Sequence, residues 1–342
     1  MVEPESDAVY SIKLVPSGQQ LSCRADQTLL DSCILAGIPA PYNCRSGECG
    51  ECMAALISGQ VQELPGADPA IYNDAHRAEG DILTCMCFPR SAIVLNVPLE
   101  AETGTIRPST FNVMVRGVEL LTPTIYGVTV ETPWPIEYRA GQNFEWILPG
   151  IAPNRTYSAA NRPGTDTIDF HVRVYPGGKV GEFISHMSVG DTLQMRGPFG
   201  HFGLSAHSWR PCVCVAGGTG LAPILSALDQ AFADGDRRPV TLIYGARSAD
   251  ELYHLDRIQA WSAQFEHFRF IPILSHEPAG SGWSGRRGLV TEALAEHLGD
   301  VFGLEAYVCG PPAMIDAAVG VLQSAGVPSE DIRTDRFAQA KS

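Results

Sequence analysis

The chain has 342 residues, 45% of them hydrophobic and 18% charged, with a formal net charge of −14. That length accommodates two or three domains with buried cores, and the acidic excess argues against nucleic acid and anionic membrane surfaces as partners. No run of about 20 apolar residues is present to span a bilayer, and Met1-Val2-Glu3-Pro4-Glu5-Ser6-Asp7 is acidic, without the apolar core of a signal peptide. A cytoplasmic location is therefore expected. There, ten cysteines point to metal binding, redox chemistry or plain packing rather than to disulfides.

Residues 1–98 read as the first unit. Val9–Val15 alternates like a strand, Pro16-Ser17-Gly18 turns the chain, and a second strand runs to Cys23. Thr28–Ala36 has helical periodicity and Gly37 stops it. Ile93–Val97 closes the unit as a strand. Cys23 and Cys33, like Cys212 and Cys214 later, sit in apolar contexts that suit small core residues. The unit holds 12 acidic residues against 5 basic ones. That excess is either a solvated surface or a docking face for a basic patch on an electron acceptor.

Inside this unit lies Pro41-Tyr42-Asn43-Cys44-Arg45-Ser46-Gly47-Glu48-Cys49-Gly50-Glu51-Cys52. The spacing C-x4-C-x2-C, followed by a cysteine 33 positions beyond Cys52, is the plant-type ligand pattern of a 2Fe–2S cluster. Gly47 and Gly50 suit a loop that folds back so that sulfurs and backbone N–H groups face one centre. Zinc also takes four cysteines, but usually through C-x2-C pairs. Cys85-Met86-Cys87 offers two candidates for the fourth ligand. The chain here resembles plant-type ferredoxin modules, in which the ligand precedes a C-x-x-x-P proline. Cys85 and Pro89 match, so Cys44, Cys49, Cys52 and Cys85 are the expected ligands. The resemblance also implies a β-grasp sheet for the unit.

Residues 99–109 lack periodicity and read as a linker. From 110 to 207 short strands dominate: Phe111–Val115, Gly127–Glu131, Phe144–Leu148, Thr167–Tyr175 and Thr192–Arg196. They suggest an antiparallel barrel or sandwich, interrupted by one helix from Val180 to Met187. From 208 to 342 strands and helices alternate. Strands are expected at Cys212–Ala216, Val240–Tyr244, Phe268–Leu274, Tyr307–Cys309 and Ile332–Phe337. Helices are expected at Pro223–Phe232, Ala249–Ala260, Thr291–His297 and Met314–Ser324. This rhythm implies a doubly wound parallel sheet covered on both faces.

Arg155-Thr156-Tyr157-Ser158 is similar to the Arg-x-Tyr-Ser motif of the ferredoxin–NADP reductase superfamily. The resemblance implies that Arg155 meets a flavin phosphate, Tyr157 stacks on the isoalloxazine and Ser158 hydrogen-bonds N5. Alternation agrees with it, since Arg155 and Tyr157 share one face of an extended strand and Ser158 the other, and guanidinium suits bidentate phosphate contact. Gly177-Gly178-Lys179-Val180-Gly181 opens the short helix, whose free N–H groups suit a pyrophosphate. Gly178, Lys179 and Val180 are the expected contacts. Gly181 departs from the Ser or Thr of many relatives, which removes a side-chain hydroxyl but leaves backbone donors. Gly197-Pro198-Phe199-Gly200 matches a structural turn of the superfamily.

Ala216-Gly217-Gly218-Thr219-Gly220-Leu221-Ala222-Pro223 follows the first strand of the α/β part. It matches the superfamily's Gly-Gly-Thr-Gly-x-x-Pro rather than the G-x-G-x-x-G of Rossmann dehydrogenases, and its glycines let backbone approach a pyrophosphate. Tyr244-Gly245-Ala246-Arg247 ends the second strand where an adenosine ribose is expected. Asp250 and Glu251 would repel a 2′-phosphate, so NADH is expected over NADPH, with Arg247 on the other side of that balance. Cys309-Gly310-Pro311-Pro312 ends the fourth strand, and the resemblance places the thiol beside the nicotinamide. Relatives hold an aromatic over the flavin near the end of the last strand, which Phe337 matches.

Taken whole, the chain resembles the reductase components of bacterial multicomponent oxygenases, with the order ferredoxin, FAD domain, NAD domain. The resemblance implies electron flow from NADH through FAD to the 2Fe–2S cluster, and then to an oxygenase or hydroxylase that oxidises an aromatic or other hydrocarbon. It fits electron counting, because a nicotinamide gives two electrons at once, a cluster takes one, and a flavin handles both. A same-layout reductase acting on a bound small substrate, as in deoxysugar formation, is the alternative enzyme. A pure electron-transfer partner with a vestigial nicotinamide site is the third reading. A monomer is expected.

Overall fold

The computed structural model describes residues 8–99, 106–151, 154–206 and 208–337. The chain divides into two compact units, residues 1–109 with 199–201 and residues 110–198 with 202–342.

The first unit is built on a five-stranded sheet. β1 (Val9–Val15) pairs antiparallel with β2 (Gln20–Arg24) and parallel with β7 (Ile93–Asn96). β3 (Met53–Ser58) and β5 (Asp81–Leu83) complete the order β2-β1-β7-β3-β5. Alternation works as expected: Ile12 and Leu14 of β1 lie against Ile93 and Leu95 of β7, and all four are buried. α1 (Leu29–Ala36) covers this face. Its start is capped by Thr28, whose hydroxyl accepts the Asp31 N–H at 3.1 Å, and its end is Gly37 at φ +72°. A second helix, α2 (Asp74–Glu79), and a small two-stranded antiparallel sheet of β4 (Val61–Glu63) with β6 (Cys87–Pro89) were not expected from the sequence. α2 is polar with no buried residue, and β4 and β6 are three residues each, too short to carry a periodic signal. The linker proposed for 99–109 falls mostly on residues 100–105, outside the described residues.

In the second unit six antiparallel strands form the sheet β11-β10-β13-β8-β9-β12. They are β8 (Ser109–Thr122), β9 (Ile125–Glu131), β10 (Asn143–Ile147), β11 (Arg155–Ser158), β12 (Thr167–Arg173) and β13 (Thr192–Phe199). A bridge between Ala159 and Phe170 joins the β11 and β12 edges, which closes the sheet into a barrel. Phe144, Trp146, Phe170 and Met195 fill it, each fully buried. β8 is longer than expected and bends at register shifts between Val115 and Gly117 and between Leu120 and Thr122. α3 (Lys179–Ser185) is the short helix.

The parallel sheet has the order β17-β16-β15-β14-β18-β19, from β14 (Cys212–Gly217), β15 (Val240–Ala246), β16 (Phe268–Leu274), β17 (Arg286–Arg287), β18 (Glu305–Gly310) and β19 (Ile332–Arg336). Every residue of β14 and β18 is buried, as central parallel strands covered on both faces require. The covering helices are α4 (Leu221–Ala233), α5 (Leu255–Gln264), α6 (Val290–His297) and α7 (Pro312–Ser324). The helix expected over Ala249–Ala260 begins instead at Leu255. A 3₁₀ turn holds Ala249–Glu251, and His254 at φ +55° stands between the two. A left-handed residue cannot continue a right-handed helix. The strand order reverses between β14 and β18, so the crevice at their carboxyl ends is the topological switch point where ligands bind in open α/β sheets.

Candidate functional site

The cysteine loop is shaped by three left-handed residues, Arg45 at φ +58°, Gly47 at +79° and Gly50 at +79°. Both glycines are also needed for space: a Cβ on Gly50 would lie 2.8 Å from Ile71 Cγ2, and one on Gly47 would lie 3.1 Å from Met86 Cγ. The sulfurs come together as two pairs. Cys52 Sγ lies 3.2 Å from Cys85 Sγ, and Cys49 hydrogen-bonds Cys44, which pulls the Cys44 thiol down to about 5. Cys44 Sγ also accepts the N–H groups of Ser46 at 3.5 Å and Glu48 at 3.4 Å. Among the described residues no three ligating side chains meet at one point. Two thiol pairs are the donor set of a two-iron cluster, with two sulfurs for each iron, so these residues fit the group the spacing implies. Cys87 is fully buried and its thiol is pushed up to about 12, first by burial. The 3₁₀ turn Thr84–Met86 aims Cys85 at Cys52.

β11 pairs antiparallel with β10, setting Arg155 opposite Trp146, Tyr157 opposite Phe144 and Ser158 opposite Asn143. The Tyr157 ring meets the Trp146 indole edge-on at 4.7 Å. Among the described residues Asn143 Oδ1, opposite Ser158, is buried without a hydrogen-bond partner, which a polar heterocycle on that face of the strand pair would answer. α3 starts after Gly177 at φ +72°, with Gly178 as its N-cap. Lys179 lines, with Pro149, Gly150, Glu182 and Phe183, a cavity of about 450 Å³ along the flank of α3, and no side chain caps the helix start. A Cβ at Gly181 would lie 3.2 Å from Val174 Cβ, so that glycine serves packing. The Arg155–Ser158 strand and the helix start fit a flavin dinucleotide.

At the switch point, Gly217 ends β14 and Gly218-Thr219-Gly220 form a 3₁₀ turn into α4. Gly220 sits so close to the next strand that a Cβ would lie 2.2 Å from the Cys309 carbonyl oxygen. Cys309 is fully buried, and burial followed by Asp335 holds its thiol well above the ordinary range. Asp335 is paired in register with Cys309. Ser158 Oγ donates to Asp335 Oδ2 at 3.4 Å, with the two residues 5% and 4% exposed. The end of the barrel strand and the ends of β18 and β19 therefore meet in one buried constellation. Phe337 follows β19, its N–H bonded to the Gly310 carbonyl at 2.9 Å, and packs against the α/β core. Gly310 at φ +147° and Pro311, the N-cap of α7, border the same crevice. Arg247 lies apart from this contact, exposed after the end of β15.

Comparisons with known proteins follow the same division. Residues 12–90 match the 2Fe-2S iron-sulfur cluster binding domain, 123–203 the oxidoreductase FAD-binding domain and 214–320 the oxidoreductase NAD-binding domain. The chain is 36% identical over 342 residues to the xylene/toluene monooxygenase electron transfer component XylA of Pseudomonas putida, covering 98% of this chain and 95% of that one. It is 31% identical over 333 residues to the reductase component DmpP of phenol 2-monooxygenase from Pseudomonas sp. strain CF600, covering 96% and 94%. Among solved structures, the Amycolatopsis cytochrome P-450 reductase GcoB superposes with a TM-score of 0.86 at 30% identity, covering 96% and 98%. The chain belongs to the oxygenase reductase components. It is an oxidoreductase with iron–sulfur, FAD-binding and NAD-binding domains, and among the described residues no helix is long and apolar enough to cross a membrane.

The geometry of this reductase adds residues that sequence reasoning missed. Asp335 carries no motif, and its partner Ser158 stands 177 positions earlier. Trp146 and Asn143 read as ordinary strand residues. His171, Tyr253 and His254 read as strand and helix residues, yet the structure gathers them beside the Gly218 turn.

Proposed function

We propose that this reductase carries electrons from NADH to an oxygenase partner that oxidises an aromatic or other hydrocarbon. Relatives named as reductase components of phenol and propane monooxygenases, and as the electron transfer component of xylene/toluene monooxygenase, support that acceptor class. The observation that carries the reading is the buried contact of Ser158 with Asp335 beside Cys309. It gathers the flavin-motif strand and the nicotinamide-motif strand at one point. When bound, the flavin supplies the conversion of a two-electron input into single electrons for the cluster.

In this reading Arg155, with the N–H groups of Gly178, Lys179 and Val180, binds the flavin phosphates, and Tyr157 presents its ring to the isoalloxazine. Ser158 supplies a hydroxyl at the reacting edge, oriented by Asp335. Gly217, Gly218, Thr219 and Gly220 bring backbone to the nicotinamide pyrophosphate. Cys309, Gly310 and Pro311 border the nicotinamide. Phe337 covers the flavin until the nicotinamide arrives. Cys44, Cys49, Cys52 and Cys85 hold the cluster.

The preference for NADH follows from Asp250 and Glu251 after β15, since carboxylates there repel a 2′-phosphate. The domain limits 1–98, 110–207 and 208–342, with the linker at 99–109, a monomeric state and a cytoplasmic location complete the proposal. Mixing the holoprotein anaerobically with NADH tests it: absorbance in the flavin band must fall before absorbance in the cluster band. Simultaneous bleaching, or none, refutes the order. NADPH turnover equal to NADH turnover refutes the cofactor preference alone, and reduction without electron delivery to any hydroxylase or dioxygenase component refutes the acceptor.

A further inference from the structure

Beside the nucleotide loop lies a hydrogen-bonded chain of three side chains. Tyr253 Oη donates to the Gly218 carbonyl at 3.4 Å and lies 3.1 Å from His171 Nδ1. His171 Nε2 lies 3.1 Å from His254 Nε2. His171 comes from β12 of the barrel, while Tyr253 and His254 come from the segment between the 3₁₀ turn at Ala249–Glu251 and α5. His171 and Tyr253 are 6% and 4% exposed. Their rings meet edge-on at 5.0 Å, and Tyr253 also packs edge-on against Tyr244 of β15 at 6.1 Å.

One proton arrangement satisfies all three contacts. A carbonyl only accepts, so the tyrosine hydroxyl gives its proton to Gly218. Its oxygen must then accept from His171 Nδ1–H. A neutral His171 has Nε2 as an acceptor, which His254 Nε2–H fills. Burial, the neighbouring His254 and Arg257 hold His171 well below the ordinary histidine range, so the neutral ring is the resident form. The chain is therefore directional, from His254 through His171 and Tyr253 to the loop carbonyl.

The carbonyl at its end controls a particular peptide. Gly218 stands at φ +57°, and in a planar trans peptide its C=O and the Thr219 N–H point in opposite directions. Holding the carbonyl toward Tyr253 holds the Thr219 N–H away from it. Arg173, two positions along β12 from His171 and on the same face, reaches the same turn: a Cβ on Gly218 would lie 2.8 Å from its Nη2.

We infer that His254, His171 and Tyr253 are positioning residues for the nicotinamide nucleotide, setting the Gly218–Thr219 peptide for the pyrophosphate. The inference rests on the reading above that Gly217–Gly220 holds that group. It gives the barrel strand a part in building the nucleotide site.

The test is calorimetric titration of the oxidised holoprotein with ADP-ribose, or with its 2′-phosphorylated analogue if the parent prefers it, together with amide exchange at Thr219. Tyr253→Phe deletes one oxygen and keeps the ring contacts. It is expected to weaken binding about fivefold, the share of a single neutral hydrogen bond, and to speed Thr219 exchange. His171→Leu is expected to do the same, and the double variant no more than the larger single, because one chain is cut twice. His171→Asn, whose amide N–H can replace Nδ1–H, is expected to restore most of the affinity. If His171→Leu does not fold, Tyr253→Phe and His171→Asn decide. Affinity within twofold of the parent in Tyr253→Phe, or multiplying losses in the double variant, overturns the inference. Gly218→Ala separates the two levels: if it leaves affinity unchanged, the loop reading itself fails, whereas if it weakens binding and Tyr253→Phe does not, only the positioning role fails.

Discussion

Gly220→Ala probes how the nucleotide loop is fastened to the sheet. A Cβ there would lie 2.2 Å from the Cys309 carbonyl oxygen, 2.4 Å from its carbon and 2.7 Å from the Gly310 nitrogen. All three are backbone atoms of a fully buried strand, so no side chain can swing aside. A comfortable carbon contact needs about 3.5 Å, so the loop or the strand end must move by roughly 1 Å. Overpacking of this kind costs about 3 kcal/mol, which for a unit of this size lowers its thermal midpoint by roughly 6–12 °C. The neighbouring Gly218→Ala sets the scale. Its φ of +57° adds about 1–2 kcal/mol of backbone strain, but its new Cβ would meet only the flexible end of Arg173. Thermal melts of the holoprotein followed by circular dichroism should therefore rank Gly220→Ala well below Gly218→Ala. A Gly220→Ala midpoint within about 2 °C of the parent would show that the loop does not press on Cys309, and the geometry assigned to the nicotinamide crevice would fail with it.

The cluster ligands separate cleanly by substitution: Cys85→Ser should abolish the visible cluster absorbance and its reduced electron paramagnetic signal, while Cys87→Ser should keep both, and the reverse outcome would reassign the fourth ligand. Ser158→Ala removes a hydrogen bond to a carboxylate, a contribution of about 1.5 kcal/mol, and stopped-flow mixing with NADH should show roughly tenfold slower flavin reduction with flavin content unchanged. Buried His171 predicts acid sensitivity of the second unit. Its folded form stays neutral well below the ordinary range, whereas the unfolded chain takes a proton below about pH 6.5. The unfolded state then binds more protons, so stability falls as pH drops through that point, by up to about 1.4 kcal/mol per pH unit. His171→Asn should flatten that limb in pH-dependent melts, and an unchanged slope would refute the assignment.

Much of this was legible because it is local. The C-x4-C-x2-C run, Arg155–Ser158 and Gly217–Gly220 each carry their chemistry within a few positions, and the all-apolar β14 and β18 announce a parallel sheet. Cys85 over Cys87 was harder. Positions two apart on a strand share a face, so alternation could not separate them; the 3₁₀ turn at Thr84–Met86 sets Cys85 Sγ 3.2 Å from Cys52 Sγ. The helix expected from Ala249 was misplaced because periodicity does not register the left-handed His254. That residue's conformation answers to its contact with His171, 83 positions earlier.

What stayed hidden shares one cause. Asp335 meets Ser158 across 177 positions, and Tyr253 meets the Gly218 carbonyl across 35. Neither aspartate nor tyrosine is unusual on its own strand or loop. A carboxylate 4% exposed at the end of an edge strand is costly unless something pairs with it, and that cost becomes visible only once β19 is laid beside β18. The motifs therefore name the cofactors, while the long-range polar contacts decide how their binding segments are held against one another. Substitutions at the long-range contacts, Ser158 and Tyr253 among them, should change affinities and rates while leaving the bound cofactors in place, whereas a motif residue outside those contacts, such as Cys85, should empty its site when replaced.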